Sequence, residues 1–240
     1  KDYDDVVFDD EGESIKSGFY HFYNEFRNIA ESLRGLSKKK LSETDTITKM
    51  IAPLLDALGW YDNCSNNVEE PYAAETSFTV KAKPRNKTYR TDMILVNYPA
   101  EASFISDSDD TEKRKREARE HCIAPLEAKY WNRIVEKEKS KIKEDKRRAN
   151  KETDDTGVAT SFNEQVLNYM NILHKKWGIV TDGNIWRLVN NDISGESPER
   201  CFEFKIESLL SQEAKIESGE VDDVEFLENA KYFYLFFGKA

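Results

Sequence analysis

Asp92 opens the apolar run Met93-Ile94-Leu95-Val96, and Glu127-Ala128-Lys129 closes a second one, Ile123-Ala124-Pro125-Leu126. A strand rises about 3.3 Å per residue and sends alternate side chains to one face, so Glu127 and Lys129 would stand roughly 6–7 Å apart on the same side. With Asp92 on a neighbouring strand, two carboxylates and one ammonium would share a single spot. Such a group suits a hard divalent cation, a phosphate and a water, the ingredients of metal-assisted phosphodiester hydrolysis. Taken alone, Asp92 reads equally as a strand-start residue satisfied by a turn, and Glu127 and Lys129 as a solvated strand face. The apolar flanks argue otherwise, because a buried carboxylate needs a compensating partner or a metal.

Those residues need a sheet to carry them, and the chain has the length for one. Its 240 residues are 38% hydrophobic and 34% charged, enough for a sizeable core in one large or two small domains. Its longest apolar run near the C-terminus, 232–237, is far short of the roughly 20 residues that span a bilayer. Cys64, Cys122 and Cys201 are odd in number and widely spaced, suggesting neither a disulfide framework nor a zinc site and pointing to a reducing cytoplasm. The net charge of −10 is unusual for a partner of nucleic acid, but it is segmental. Residues 1–13 hold seven acids against one lysine, whereas 133–152 hold nine Lys/Arg against five acids, just beyond Lys129.

Periodicity supplies the elements. After an acidic arm of about a dozen residues, Ile15, Phe19, Phe22, Tyr23, Phe26, Ile29, Ala30 and Leu33 recur at helical spacing and predict a helix over 14–36. A second helix is expected from Glu43 to about Trp60, with Thr44 or Asp45 as N-cap and Pro53 as a point of kinking or of a lost backbone bond. Strands are expected over 75–80, 89–96 and 122–130, with a polar, charge-dense insertion at 100–121 between the last two. A charged helix over 134–149 follows, then one opened by Ser161 or Asn163, with Tyr169 and Met170 as packing residues. Asp182-Gly183 between two β-rich runs predicts a hairpin. A strand near 201–206 and an aromatic helix over 225–237 complete a mixed α/β sheet flanked by helices. The aromatic ending reads as that of an N-terminal module from a longer protein. The expected organisation is an acidic segment and helix over 1–42, a core over 43–190, and a strand and aromatic helix over 191–240 packing on that core.

Several chemistries lack their motifs. No two glycines are spaced for GxGxxG, and neither GxxxxGK[ST] nor GxSxG occurs. His21, His121 and His174 are too few and scattered for a histidine-metal site. Carboxylate–lysine chemistry remains. The segments around Glu43 and Pro53-Leu54-Leu55-Asp56-Ala57-Leu58-Gly59-Trp60, Arg90-Thr91-Asp92-Met93-Ile94-Leu95, Leu126-Glu127-Ala128-Lys129, Gln165-Val166-Leu167-Asn168-Tyr169-Met170 and the run 177–188 resemble the PD-(D/E)xK nuclease superfamily. More narrowly, they resemble the N-terminal nuclease domain of restriction enzymes, in type I restriction subunits and type IIG restriction-modification proteins. The resemblance spans about 43–189. It departs from the family in the long spacing between Asp92 and Glu127 and in having Thr91 where the namesake proline stands.

The resemblance implies a restriction-endonuclease-like core and a Mg²⁺-dependent endonuclease acting on double-stranded DNA, with Mn²⁺ able to substitute. Asp92 and Glu127 would be the metal carboxylates, with the carbonyl of Ala128 as a further ligand. Lys129 would orient the attacking water or steady the developing charge. Glu43 would act through a water at the metal. Gln165 would support the site from a neighbouring helix by contacting Lys129 or the DNA backbone. Expected partners are duplex DNA and the methyltransferase, specificity or helicase domains of the same or an associated chain, in a phage-defence setting and with no membrane. The alternative is a catalytically inactive nuclease-like scaffold that binds nucleic acid or partner domains.

Overall fold

A computed structural model describes residues 13–60, 72–80, 87–96, 119–134, 162–192, 201–220 and 224–239. Six strands form one sheet: β1 (Tyr72–Val80), β2 (Lys87–Val96), β3 (Cys122–Ala128), β4 (Trp177–Thr181), β5 (Ile185–Asn190) and β6 (Cys201–Lys205), side by side in chain order. All neighbours are antiparallel except β3 and β4, which run parallel. The helices are α1 (Glu13–Ser37), α2 (Glu43–Thr46), α3 (Ala52–Ala57), α4 (Phe162–Leu173), α5 (Ile206–Glu217) and α6 (Val224–Phe237). The chain is therefore an α/β protein with a mixed sheet and flanking helices. Among the described residues, no helix is long and apolar enough to cross a membrane. The acidic arm, the insertion up to residue 118 and the charged helix beyond residue 134 lie outside the described residues.

Strand alternation sorts the core into two layers. Met93, Leu95, Leu126, Ala128, Ile179 and Trp186 face the larger cluster, built with α1, α3, α5 and α6. Val180, Ile185 and Val189 face the other way, against Val166 and Met170 of α4. The predicted helix over 14–36 and the hairpin at Asp182-Gly183 are both observed. α5 was not anticipated, although Ile206, Leu209, Leu210 and Glu213 bury one stripe of it. Glu213 is buried because Arg34 of α1 pairs with it, and the same guanidinium reaches Glu217 at 2.7 Å. Burying a carboxylate there is tolerable only with that partner.

The second helix starts at Glu43, as expected, but its N-cap lies two residues before Thr44 and three before Asp45. Ser42 is the N-cap, its Oγ accepting the Asp45 N–H at 3.0 Å, so Glu43 occupies the first helical turn. Just before Pro53 the helical segment changes its winding. Proline has no N–H and its ring collides with the carbonyl four residues back. The chain opens residues Ile47–Ile51 into a π-helical turn, with the Ala52 N–H reaching back to the Ile47 carbonyl, and Pro53 then falls in the first turn of α3. At the other end Gly59 takes φ +81°, and the Gly59 and Trp60 N–H groups donate to the carbonyls of Asp56 and Leu55, a glycine-terminated cap.

Gly178 sets how closely α4 lies on the sheet. A Cβ there would stand 2.6 Å from Met170 Sδ and 2.8 Å from Val166 Cγ2. Gly178→Ala is expected to lift α4 and destabilise the fold by about 1–3 kcal/mol, the usual cost of overpacking. Urea denaturation checks this, and an unchanged midpoint would remove Gly178 as the reason for the close approach.

Candidate functional site

The site lies where β2 and β3 part. Their ladder is in register at Met93↔Leu126, and one further step of that register brings Asp92 opposite Glu127. Side chains replace the backbone ladder here. Asp92 Oδ2 accepts the Ala128 N–H at 2.7 Å. The fully buried Thr91 hydroxyl lies 2.9 Å from the carbonyls of both Met93 and Leu126. Thr91 thus ties the two strands through its hydroxyl. On the other flank, parallel pairing sets Glu127 beside Val180 and Ala128 beside Thr181, and the Lys129 N–H continues the pattern to the Thr181 carbonyl at 2.8 Å.

Lys129 lies one residue past the end of β3 rather than within a strand reaching residue 130. Its ammonium still turns back to Glu127, with Nζ 2.5 Å from Oε1. Glu43 Oε2, from the first turn of α2, stands 3.9 Å from the same Nζ. Glu127 is 4% exposed, whereas the Glu43 side chain is half open to solvent. Four residues singled out in the sequence, Glu43, Asp92, Glu127 and Lys129, therefore converge from three elements.

Burial, reinforced by the neighbouring Asp92 charge, pushes the Glu127 carboxyl above the usual range, and the bonds to Lys129 and Tyr169 only partly offset this. The same burial, with Glu127 and Asp92 nearby, raises the Tyr169 phenol, so its proton stays on oxygen and is available to a carboxylate. Tyr169 is buried, as expected of a packing residue, and its hydroxyl also bonds Glu127. The usable signal was its position four residues after Gln165, which sets both on one stripe of α4. Met170 packs in the core as expected. Gln165 keeps a buried Oε1 with no hydrogen-bond partner.

Among the described residues no three His, Cys, Asp or Glu side chains gather as a ready-made metal cage. The carboxylates of Asp92 and Glu127 are the pair brought together at this corner. Glu127 Oε2 is buried without a hydrogen-bond partner of its own, although the Tyr169 hydroxyl bonds the same carboxylate. Oxygen donors of this kind suit Mg²⁺ or Mn²⁺. No family model matches the chain, and neither any curated protein nor any solved structure matches it.

The raised Glu127 carboxyl has a consequence for stability without metal. Its native form holds a proton more tightly than the unfolded chain does, so this residue costs stability as pH rises from the ordinary carboxylate value of 4.5 through its raised native value. Glu127→Gln is expected to be more stable than the parent at pH 7, with the gap closing as pH falls toward 4.5. Denaturant titrations of the metal-free protein at the two pH values measure this. A variant less stable than the parent at neutral pH would show that the Lys129 bond outweighs burial.

Proposed function

We propose that the chain is a metal-dependent DNA endonuclease domain of restriction-modification type, built on a PD-(D/E)xK, restriction-endonuclease-like core. The observation that carries this reading is the buried Glu127, with an unpaired oxygen, held against Asp92 and Lys129 where two strands part. A carboxylate kept so against its own desolvation is costly for folding and useful for chemistry.

Asp92, Glu127 and the Ala128 carbonyl would hold a Mg²⁺ ion. Such an ion, when bound, withdraws charge from a phosphate and lowers the pKa of a water. The protein's own groups supply the rest. Lys129, bonded to Glu127, would meet negative charge building on a phosphate oxygen. Glu43, partly exposed and 3.9 Å from the Lys129 ammonium, would act through a water at the metal. The Tyr169 hydroxyl steadies the Glu127 carboxylate, and the Gln165 amide oxygen offers an unclaimed acceptor one turn away on the same helix. The basic stretch 133–152 supplies phosphate-neutralising charge, and each such contact steepens the salt dependence of binding. Choice of site on duplex DNA would fall to other domains of the same or an associated chain, consistent with the acidic balance of this one.

Supercoiled plasmid with Mg²⁺ or Mn²⁺ provides the test. The wild-type chain is expected to nick it, and Asp92→Asn and Lys129→Ala to lose about 100-fold or more of that rate. Ca²⁺ should also raise the melting temperature of the wild type by binding linkage, and should not do so in Asp92→Asn. Cleavage that persists in both variants would assign it to another site or a contaminant. DNA binding without cleavage or any cation effect would favour the inactive scaffold.

A further inference from the structure

The geometry points to Thr46 as a positioning residue that holds Lys129 in register with Glu43, an inference that rests on the nuclease reading above. Thr46 is fully buried, one helical turn beyond Glu43. Its Oγ1 accepts the Trp131 N–H at 3.0 Å and donates to the Ser42 carbonyl at 2.9 Å. One hydroxyl thus links the N-cap of the Glu43 helix to the loop two residues after Lys129. The Thr46 bond crosses from the helix that carries Glu43 to the loop that carries Lys129.

The remainder of that loop is tied elsewhere. The Lys129 N–H goes to the Thr181 carbonyl, the Ile134 N–H to Asp182 Oδ2 at 2.8 Å, and the Asn132 amide oxygen accepts from Asn184 Nδ2 at 2.7 Å. The loop is therefore anchored to the β4–β5 turn at both ends and to the Glu43 helix at Trp131. The turn itself is packed into this junction. Gly183 takes φ +83°, and a Cβ there would meet Thr46 Cγ2 at 3.1 Å and Trp131 Cε3 at 3.2 Å. Asp182 holds the turn from within by accepting the N–H groups of Asn184 and Ile185 on one oxygen. Glu43 and Lys129 lie on two elements, and the Thr46 hydroxyl makes a hydrogen bond between them. A shift of about 1 Å between such groups is enough to lower a rate by two orders of magnitude.

Thr46→Val keeps the shape and removes the hydroxyl, leaving the Trp131 N–H buried without an acceptor. Thr46→Ser keeps the hydroxyl. Acylation of lysines by an N-hydroxysuccinimide ester, read by mass spectrometry on folded protein, reports Lys129 whether or not the protein cuts DNA. Lys129 in Thr46→Val is expected to react about fivefold faster than in the parent, the factor that follows from losing one hydrogen bond. Lys176 and Lys205 should be unchanged, and Thr46→Ser should match the parent. On plasmid, kcat should fall on the order of 10–100-fold in Thr46→Val, with KM for DNA unchanged, and recover in Thr46→Ser. The inference is overturned if Lys129 reactivity stays at the parental rate, if Lys176 and Lys205 rise with it, or if Thr46→Ser behaves like Thr46→Val. A wild-type protein that shows no cation-dependent cleavage would defeat the nuclease reading, while the acylation result would still decide whether Thr46 positions Lys129.

Discussion

The placement of Glu127 governs the rest of this structure. A carboxylate at the end of a central strand, flanked by β2 on one side and β4 on the other, loses nearly all of its water. That loss is a burden which the neighbouring elements share. Lys129 returns over its own strand to meet Glu127, Asp92 gives up one oxygen to the Ala128 amide rather than crowding the same space, and Tyr169 presents a hydroxyl from above. None of these contacts makes the site stable in the ordinary sense, since the net effect on Glu127 is still to favour its protonated form. The fold carries that cost in the large apolar cluster on the opposite face, where Phe19, Phe22, Phe26, Trp186 and Phe233 are packed without water.

The two faces of the sheet thus have different tasks. One is a thick aromatic layer made by α1, α3, α5 and α6, joined across its span by contacts such as Trp60 Nε1 to the Phe237 carbonyl at 2.6 Å and the Arg34–Glu213 pair. The other is thinner, with α4 drawn close at Gly178, and it is on this side that Asp92, Glu127 and Tyr169 come together. The strand period of two separates them: Met93 and Leu126 point into the thick layer, so Asp92 and Glu127 must point away from it. A rigid core thereby fixes the backbone to which the polar corner is attached, and the corner itself needs few residues.

Much of this arrangement was legible along the chain. An apolar run opened by Asp92 and another closed by Glu127-Ala128-Lys129 marked two strands and the polar residues on them, because hydrophobic burial and strand alternation are local properties. The helix over 14–36 was readable from its aromatic stripe, and the Asp182-Gly183 hairpin from a glycine able to take positive φ. The aromatic helix near the end was also visible. α5 was passed over because its buried stripe includes Glu213, which reads as solvent-facing until Arg34, nearly 180 residues earlier, is brought beside it. The π-helical turn before Pro53 was not foreseen either, since proline announces a conflict in the helix without saying how it is relieved.

The sequence alone determined which residues are of the types that could hold a cation and steady a phosphate, and on which elements they ride. It did so because residue type, strand period and helix period are written locally. Only the tertiary structure decided that Lys129 turns back onto Glu127, that Glu43 from a separate helix reaches the same ammonium, that Thr91 and Asp92 close the gap between two strands, and that the buried Tyr169 turns its hydroxyl to a carboxylate. Each of those depends on the distance between segments far apart in the chain, and that distance is set by how α2 and α4 pack on the sheet.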